Sequence, residues 1–453
     1  MAGLDDYGDT SLCVNSCGND AQTGLAGDVS GRHRLRQVNS LPACQRYSNL
    51  IRQPSDSIAA MRNLLRTIKH TLALPARLTP AARKEGRSDR RGLPDFDPGP
   101  AAVIEACTAW LGVAQDHSAS ADGGVARDYS LLTGWASSYP ETTGYIIPTM
   151  IAMAQRTGDE ALHARARRML DWCLAIQFDN GGFQGGKIDS TPRVAVTFNT
   201  GQVLLGLAAG VAAYGASYAS ALHRAASWLR DSQDADGCWR QHPTPFAQAG
   251  EKAYETHVAW GLFEAERAAP GHGYGAAGLR QVGWALGKQQ PNGWFASNCL
   301  DNPALPLTHT IGYVLRGLLE AHRFSARTDL LDAAVRTGSS IANAVAADGY
   351  LPGRLGPEFL PGADYACLTG SAQNAHCLLL LYRLTGERRY LDAGRRLNRY
   401  VRRTIAVNGP EHVRGGVKGS FPVDGDYGTW AYLNWAAKFC IDANQLELEI
   451  RDA

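Results

Sequence analysis

The sequence predicts an all-α ring, an (α/α)6 toroid of six helix pairs with Gly- and aromatic-rich loops at one mouth, and three observations predict it. The first is a series of glycine turns: Asp122-Gly123-Gly124, Asn180-Gly181-Gly182-Phe183, Asp236-Gly237-Cys238-Trp239, Asn292-Gly293-Trp294-Phe295, Asp348-Gly349-Tyr350 and Gly415-Gly416-Val417. Their first glycines are separated by 58, 56, 56, 56 and 66 residues. A period of this size marks a repeat architecture. The second is a series of threonine steps on the same beat: Thr143-Gly144, Thr200-Gly201, Thr256-His257, Thr308-His309, Thr369-Gly370 and Thr429-Trp430. The third is a contrast between two helical patterns. The runs after the threonines are apolar almost all round, as in helices buried on both sides. The segments before the glycine turns, such as 160–177 and 387–404, alternate apolar with charged residues and read as outer helices with one wet face.

Each element follows from this pattern. A threonine ahead of an apolar run reads as a helix N-cap, its hydroxyl satisfying an orphan backbone N–H. Six outer and six inner helices close a ring where an open solenoid would leave the ends bare. The aromatics of the glycine turns read as packing wedges between repeats. The ring spans residues 101–453. Ahead of it, residues 1–56 carry no period and read as irregular. Residues 57–72 place apolar side chains at 58, 61, 64, 65, 68 and 72, a helical face with Arg62, Arg66 and Lys69 off it. That segment reads as a helix packed on the ring, with an anionic membrane surface as the alternative contact. Residues 78–100 read as a Pro-rich linker.

Composition narrows the class. Net charge is +2, which argues neither for nor against nucleic acid, and residues 31–91 hold fourteen Lys or Arg against three Asp or Glu; no nucleic-acid partner is expected. Ten cysteines are scattered without a CxxC pair, so no metal site is expected. No secretory signal and no membrane span is visible, which places the chain in the cytoplasm, with the basic segment as its contact to the inner membrane. No phosphate loop or nucleotide fingerprint calls for an organic cofactor.

In a ring of helix pairs the inner helices run the same way, so their N-termini converge on one mouth and favour an anionic ligand. The segments reaching that mouth supply Trp135, Tyr139, Glu141 and Tyr145; Arg193, Asn199 and Gln202; Tyr254, Glu255 and His257; His309 and Tyr313; Asp364, Tyr365, Gln373 and Asn374; and Lys418, Asp424, Asp426, Tyr427, Trp430, Tyr432 and Asn434. Aromatic faces for pyranose rings beside carboxylates and amides for hydroxyls are what a sugar cleft needs. Each has a structural alternative: Glu141 and Glu255 as helix-dipole or capping residues, Asp424 and Asp426 as turn formers. His257 and His309 hold matching places in adjacent repeats.

Two families share features with these strings. Gln233-Asp234-Ala235-Asp236-Gly237-Cys238-Trp239 and Gln289 to Trp294 resemble the Q-x-x-D-G-x-W repeats of terpene cyclases, but the Asp-x-Asp-Asp acid motif of that family is absent. The stretches Trp135–Pro148, Leu368–His376 and Gly415–Phe439 resemble VpsJ-type exopolysaccharide biosynthesis proteins over roughly residues 100–445. That resemblance implies a role in making or trimming a bacterial polysaccharide and no particular mechanism. Three mechanisms stay open. A lyase or epimerase would use His257 and His309 with Tyr254 or Tyr432, and Arg193 or Asn199 to neutralise a uronate. A glycoside hydrolase would pair carboxylates from Glu141, Glu255, Asp364 and Asp426. A non-catalytic glycan-binding component would use the cleft alone. The expected partner is an acidic polysaccharide or its precursor.

Overall fold

In a computed structural model, residues 78–451 are described, and Thr79–Ala453 form one compact unit. Helix α1 is Pro80–Asp89. The outer helices are α2 (Pro100–Asp116), α4 (Glu160–Ile176), α6 (Ala219–Asp231), α8 (Tyr274–Leu286), α10 (Thr328–Ala344) and α12 (Arg388–Arg403). They alternate with the inner helices α3 (Pro140–Thr157), α5 (Thr197–Tyr214), α7 (Thr256–Ala268), α9 (Thr308–Ser325), α11 (Leu368–Thr385) and α13 (Asn434–Arg451). Each inner helix packs on the next, and α13 packs on both α2 and α3, which closes the ring.

The glycine turns are the joints. Gly181, Gly237 and Gly293 have φ of 94°, 95° and 88°, a region that costs other residues strain. A Cβ on Gly181 would lie 2.5 Å from the carbonyl oxygen of Arg224, and one on Gly237 would lie 2.5 Å from that of Arg280. Gly349 and Gly415 repeat this against Arg396 and Ala106, so the last turn closes on the first outer helix. Where an acid or amide precedes the glycine, it folds the turn, as in these four: Asn180, Asp236, Asn292 and Asp348 accept the backbone N–H two residues on, at 3.0, 3.1, 3.1 and 2.9 Å. A glutamine then staples turn to neighbour. Gln177 Nε2 donates to the carbonyls of Gly181 and Ala221 at 2.9 and 3.0 Å, and Gln233 Nε2 to those of Gly237 and Ala277 at 2.8 and 3.0 Å. The Gln233 carbonyl in turn accepts from Arg280 at 3.1 Å. The Q-x-x-D-G string is thus an inter-repeat fastener.

The threonines do a different job from the one read in the sequence. None is an N-cap; the caps of α3, α5, α7, α9 and α11 are Tyr139, Val196, Glu255, Leu307 and Cys367. Thr143 and Thr200 lie inside the first turn, where their hydroxyls accept from the N–H of Val125 and Phe183, two residues past the glycines, at 3.0 and 2.9 Å. They pin inner helix to glycine turn. Thr429 is exposed, and Asn434 takes over in the sixth repeat, donating to Ala126 O and Thr142 Oγ1 at 2.8 Å each.

Short strands lace the sixth repeat to the first and to the fifth. β1 (Asp128–Ser130) pairs with β2 (Gly134–Trp135) and β5 (Ala431–Leu433), and β3 (Ala366–Cys367) pairs with β4 (Ser420–Phe421), all antiparallel. Residues 80–89, read as part of a linker, form α1 and are bolted to this region. Lys418, 3% exposed, pairs with Asp89 at 2.6 Å and Glu85 at 2.9 Å. Asp89 also accepts from Val423 N at 2.8 Å, and Gly86 makes room for the Trp430 indole. The amphipathic segment 57–72 lies outside the described residues.

Two outcomes follow. Gly237→Ala should lower stability by about 2–4 kcal/mol, from strain at positive φ plus the clash with Arg280, measured by denaturant melts. Deleting residues 1–78 should leave a cooperative melt. Deleting 1–90 should cost a further ~3–5 kcal/mol, because Lys418 is left buried without its carboxylates.

Candidate active site

Inside the ring, inner-helix side chains meet in a layer of aromatics and histidines. The Tyr313 ring of α9 lies 4.5 Å from that of His257 on α7 and 4.4 Å from that of His309 one turn up its own helix. Phe198 of α5 packs edge-on to Tyr313 at 5.1 Å and to Tyr254 at 5.2 Å. Phe439 of α13 lies 6.2 Å from Tyr313 and 5.4 Å from Tyr145 of α3. The helices can approach this closely because glycines face backbone: Gly144 lies on Val203, Gly201 on Val258 and Gly370 on Thr308.

Each histidine is held by a glutamine from a neighbouring inner helix. His257 Nδ1 is 2.7 Å from Gln202 Oε1, and His309 Nδ1 is 2.6 Å from Gln373 Oε1. A carbonyl oxygen only accepts, so with the amides in this orientation both Nδ1 atoms carry the proton and both Nε2 atoms present a lone pair. His257 Nε2 is buried and has no protein partner among the described residues. Burial pushes the His309 pKa down to about 4. Burial, then the cations Arg316 and Lys438, hold His257 well below the usual imidazole range. Both are neutral bases at pH 7.

Two carboxyls accompany them. Burial raises Glu255, 5% exposed, to about 8 against the opposing charge of Lys252, and its Oε2 has no partner among the described residues. Burial raises Glu141 to about 7, opposed by the Tyr139 hydroxyl and Arg127. Glu141 is only half-buried by contact with solvent, so it sits in a recess: protein surrounds it, and water still touches it. The Arg127 guanidinium spans the Tyr139 and Trp435 rings at 5.9 and 5.3 Å.

The centre therefore gathers His257, His309, Gln373, Tyr145 and Tyr254 from the sequence-derived set, with Glu141, Glu255, Tyr139 and Asn199 on the same N-terminal turns. Others go elsewhere. Arg193 is exposed and bonds Gln184 at 3.1 Å, so it does not face the histidines. Asp364 and Asp426 are exposed, Asp426 lying 3.6 Å from Arg354. Asn374 staples α11 to α9 through the carbonyls of Gly370 and Thr308. Trp135 packs among Trp110, Tyr129 and His117 at the end of α2. Trp430 packs against α1, and Tyr432 bonds Glu85 there. Lys418 is committed to α1. The cations inside the ring are instead Arg127, which acts on Glu141, and Arg316 and Lys438, which lie deeper along the lumen. The last two sit inside runs read as apolar, where only a lone charge on the lumen face signals them. Among the described residues no group of metal-ligating side chains is assembled.

The ring has solved counterparts. The chain matches a heparin-specific unsaturated glucuronyl hydrolase with a TM-score of 0.62 at 14% identity, over 78% of this chain and 97% of that one. A D-mannose isomerase matches at 0.63 and 12%, over 78% and 97%. A cellobiose 2-epimerase from Spirochaeta thermophila DSM 6192 matches at 0.62 and 15%, over 78% and 98%. The fold is the (α/α)6 toroid. No protein-family model matches the chain, and no curated protein matches its sequence.

Glu255 gives a pH prediction. The folded state keeps on it a proton that the unfolded chain releases near pH 4.5, so between pH 4.5 and about 8 the folded state binds more protons. Stability should fall as pH rises through that window. Glu255→Gln should flatten the fall, read from urea midpoints across the range; an unchanged slope would place the effect elsewhere.

Proposed function

We propose that the chain is a carbohydrate-active enzyme that moves a proton at a sugar carbon, in an epimerase- or lyase-type reaction, with His257 and His309 as base and acid. The observation that carries this is the pair of neutral imidazoles on one tyrosine, each fixed at Nδ1 by a glutamine and each offering Nε2. One Nε2 takes the proton from carbon and later passes it to solvent, while the other accepts a proton from solvent and returns it to the carbon. Removing a proton beside a carbonyl or carboxylate leaves an enolate, which hydrogen-bond donors in a dry site stabilise. Glu255, held protonated at neutral pH, and the tyrosine hydroxyls of the layer are such donors. The fold counterparts, which include a sugar epimerase and a sugar isomerase by name, are consistent with this chemistry. So is an acidic substrate, given Arg127 beside Glu141. The resemblance of Trp135–Pro148 and Gly415–Phe439 to VpsJ-type proteins directs the substrate towards a bacterial exopolysaccharide or its precursor.

Hydrolysis is the second reading, and one observation favours it: Glu141, raised to about 7, is a ready general acid in a recess that water reaches. The paired mechanism also needs an ionised carboxylate, and Glu255 is raised as well.

Uronate-containing and neutral oligosaccharides incubated in D2O separate the two. Proton transfer puts solvent deuterium on a ring carbon or creates the ultraviolet absorbance of an unsaturated uronate; hydrolysis releases reducing ends with neither. His257→Ala and His309→Ala should each lower kcat/KM by about 10^2–10^4-fold, and Glu141→Gln should leave exchange in place. Full exchange in His257→Ala would sink the assignment.

A further inference from the structure

One set of buried charges lies outside the proton-transfer centre. Two turns along α9 from His309, about 10 Å deeper at 1.5 Å per residue, Arg316 enters the lumen. Its Nε donates to Glu320 at 2.9 Å, its Nη1 donates to His376 Nδ1 at 3.0 Å, and its guanidinium lies 4.1 Å from the Trp260 ring centroid. On α13, Lys438 pairs with Asp442 at 2.7 Å, and Asp442 also accepts from Thr149 Oγ1 at 2.7 Å. The layer draws on five of the six inner helices: α3, α7, α9, α11 and α13.

Water reaches this layer from the far side. Trp260, Arg316, His376 and Asp442 keep partial solvent contact. The residues above them do not: Tyr145, His257, Tyr313 and Phe439 are 1%, 1%, 2% and 3% exposed. Beyond the layer, Ala152 and Ala212 are exposed and Ala209 is half-buried, although all three belong to inner helices. The lumen therefore opens at the C-terminal ends of the inner helices, opposite the glycine turns. Its floor is the dry aromatic and histidine layer.

We propose that this pocket is a second binding site, for a small molecule bearing an oxyanion, either a phosphate or the carboxylate of a sugar acid. The donor chemistry makes the case. An arginine only donates, so His376 Nδ1 is the acceptor and its proton sits on Nε2. Glu320 and His376 occupy two of the five guanidinium N–H groups, and Asp442 occupies one of the three on Lys438. The remaining N–H groups and His376 Nε2–H supply the charge-assisted and neutral donors that an oxyanion takes. Glu320, 3% exposed, and Asp442 hold the two cations in place within the wall. Burial, with Arg316 and Lys438, holds His376 neutral, while Asp442 pulls the other way.

Calorimetric titration of the full-length protein with inorganic phosphate and, separately, with glucuronate tests this without any turnover. Saturable binding of either anion is expected, and the arm that binds identifies the anion. Arg316→Lys keeps the charge and loses the fork. Lys438→Met/Asp442→Asn removes the pair together, so neither charge is stranded. Each should weaken binding about tenfold or more, with melting curves confirming the fold. His257→Ala should leave binding in place, which separates this site from the proton-transfer centre. The proposal is overturned if neither anion binds, if both folded pocket variants bind as tightly as the parent, or if His257→Ala abolishes binding.

Discussion

The architecture depends on one contact: a glycine at positive φ laid against a carbonyl of the next outer helix. Gly181, Gly237, Gly349 and Gly415 meet Arg224, Arg280, Arg396 and Ala106 in this way. A Cβ there would strain the turn and collide with backbone that cannot yield. The last of these contacts carries the ring from end to start, so closure and repeat spacing have one cause. Asx turns and glutamine staples fix the glycine, and Thr143 and Thr200 carry the position across to the inner helices.

That chain of contacts sets the register of the inner helices, and register is what the centre needs. His257 and His309 lie on different helices and depend on Gln202 and Gln373 on two further ones. A slip of one residue on any of the four would rotate a side chain by roughly 100° out of the lumen. The close glycine contacts between inner helices bring the rings within van der Waals reach and leave little room for such a slip. The same closeness dries the layer, and drying is what neutralises the histidines and protonates Glu255.

The glycine period, the six helix pairs and the histidine pair could be read from residue order because they recur with a fixed beat. The role of the threonines could not, since an N-cap and a first-turn hydroxyl bonded to a distant loop have the same local sequence. Helix α1 was hidden by its composition: Pro80 and a run of charges resemble a linker, and only Lys418, some 330 residues later, makes Asp89 a buried partner. Arg193 and Lys418 were placed at the mouth by proximity in sequence to the threonine steps. Their partners, Gln184 and α1, are set by loop geometry that no period encodes. The lumen charges sit singly within apolar helices, and an arginine or lysine there means little until its neighbours across the ring are known.

Those charges show what a closed ring does that a helical solenoid cannot. Arg316 and Lys438 each have a carboxylate one turn down the same helix, Glu320 and Asp442, so both pairs are built into single helices before the ring forms. A pair at i, i+4 contributes only about 0.3–0.5 kcal/mol on an exposed helix. Here the ring brings His376, Trp260, Tyr145 and Thr149 from other helices around the same groups. Burial makes each charge costly to leave alone, and it makes each interaction with its neighbours stronger. The cations consequently act across the layer above, where they oppose protonation of His257. Closure couples the two levels of the lumen electrostatically, through a layer of buried rings.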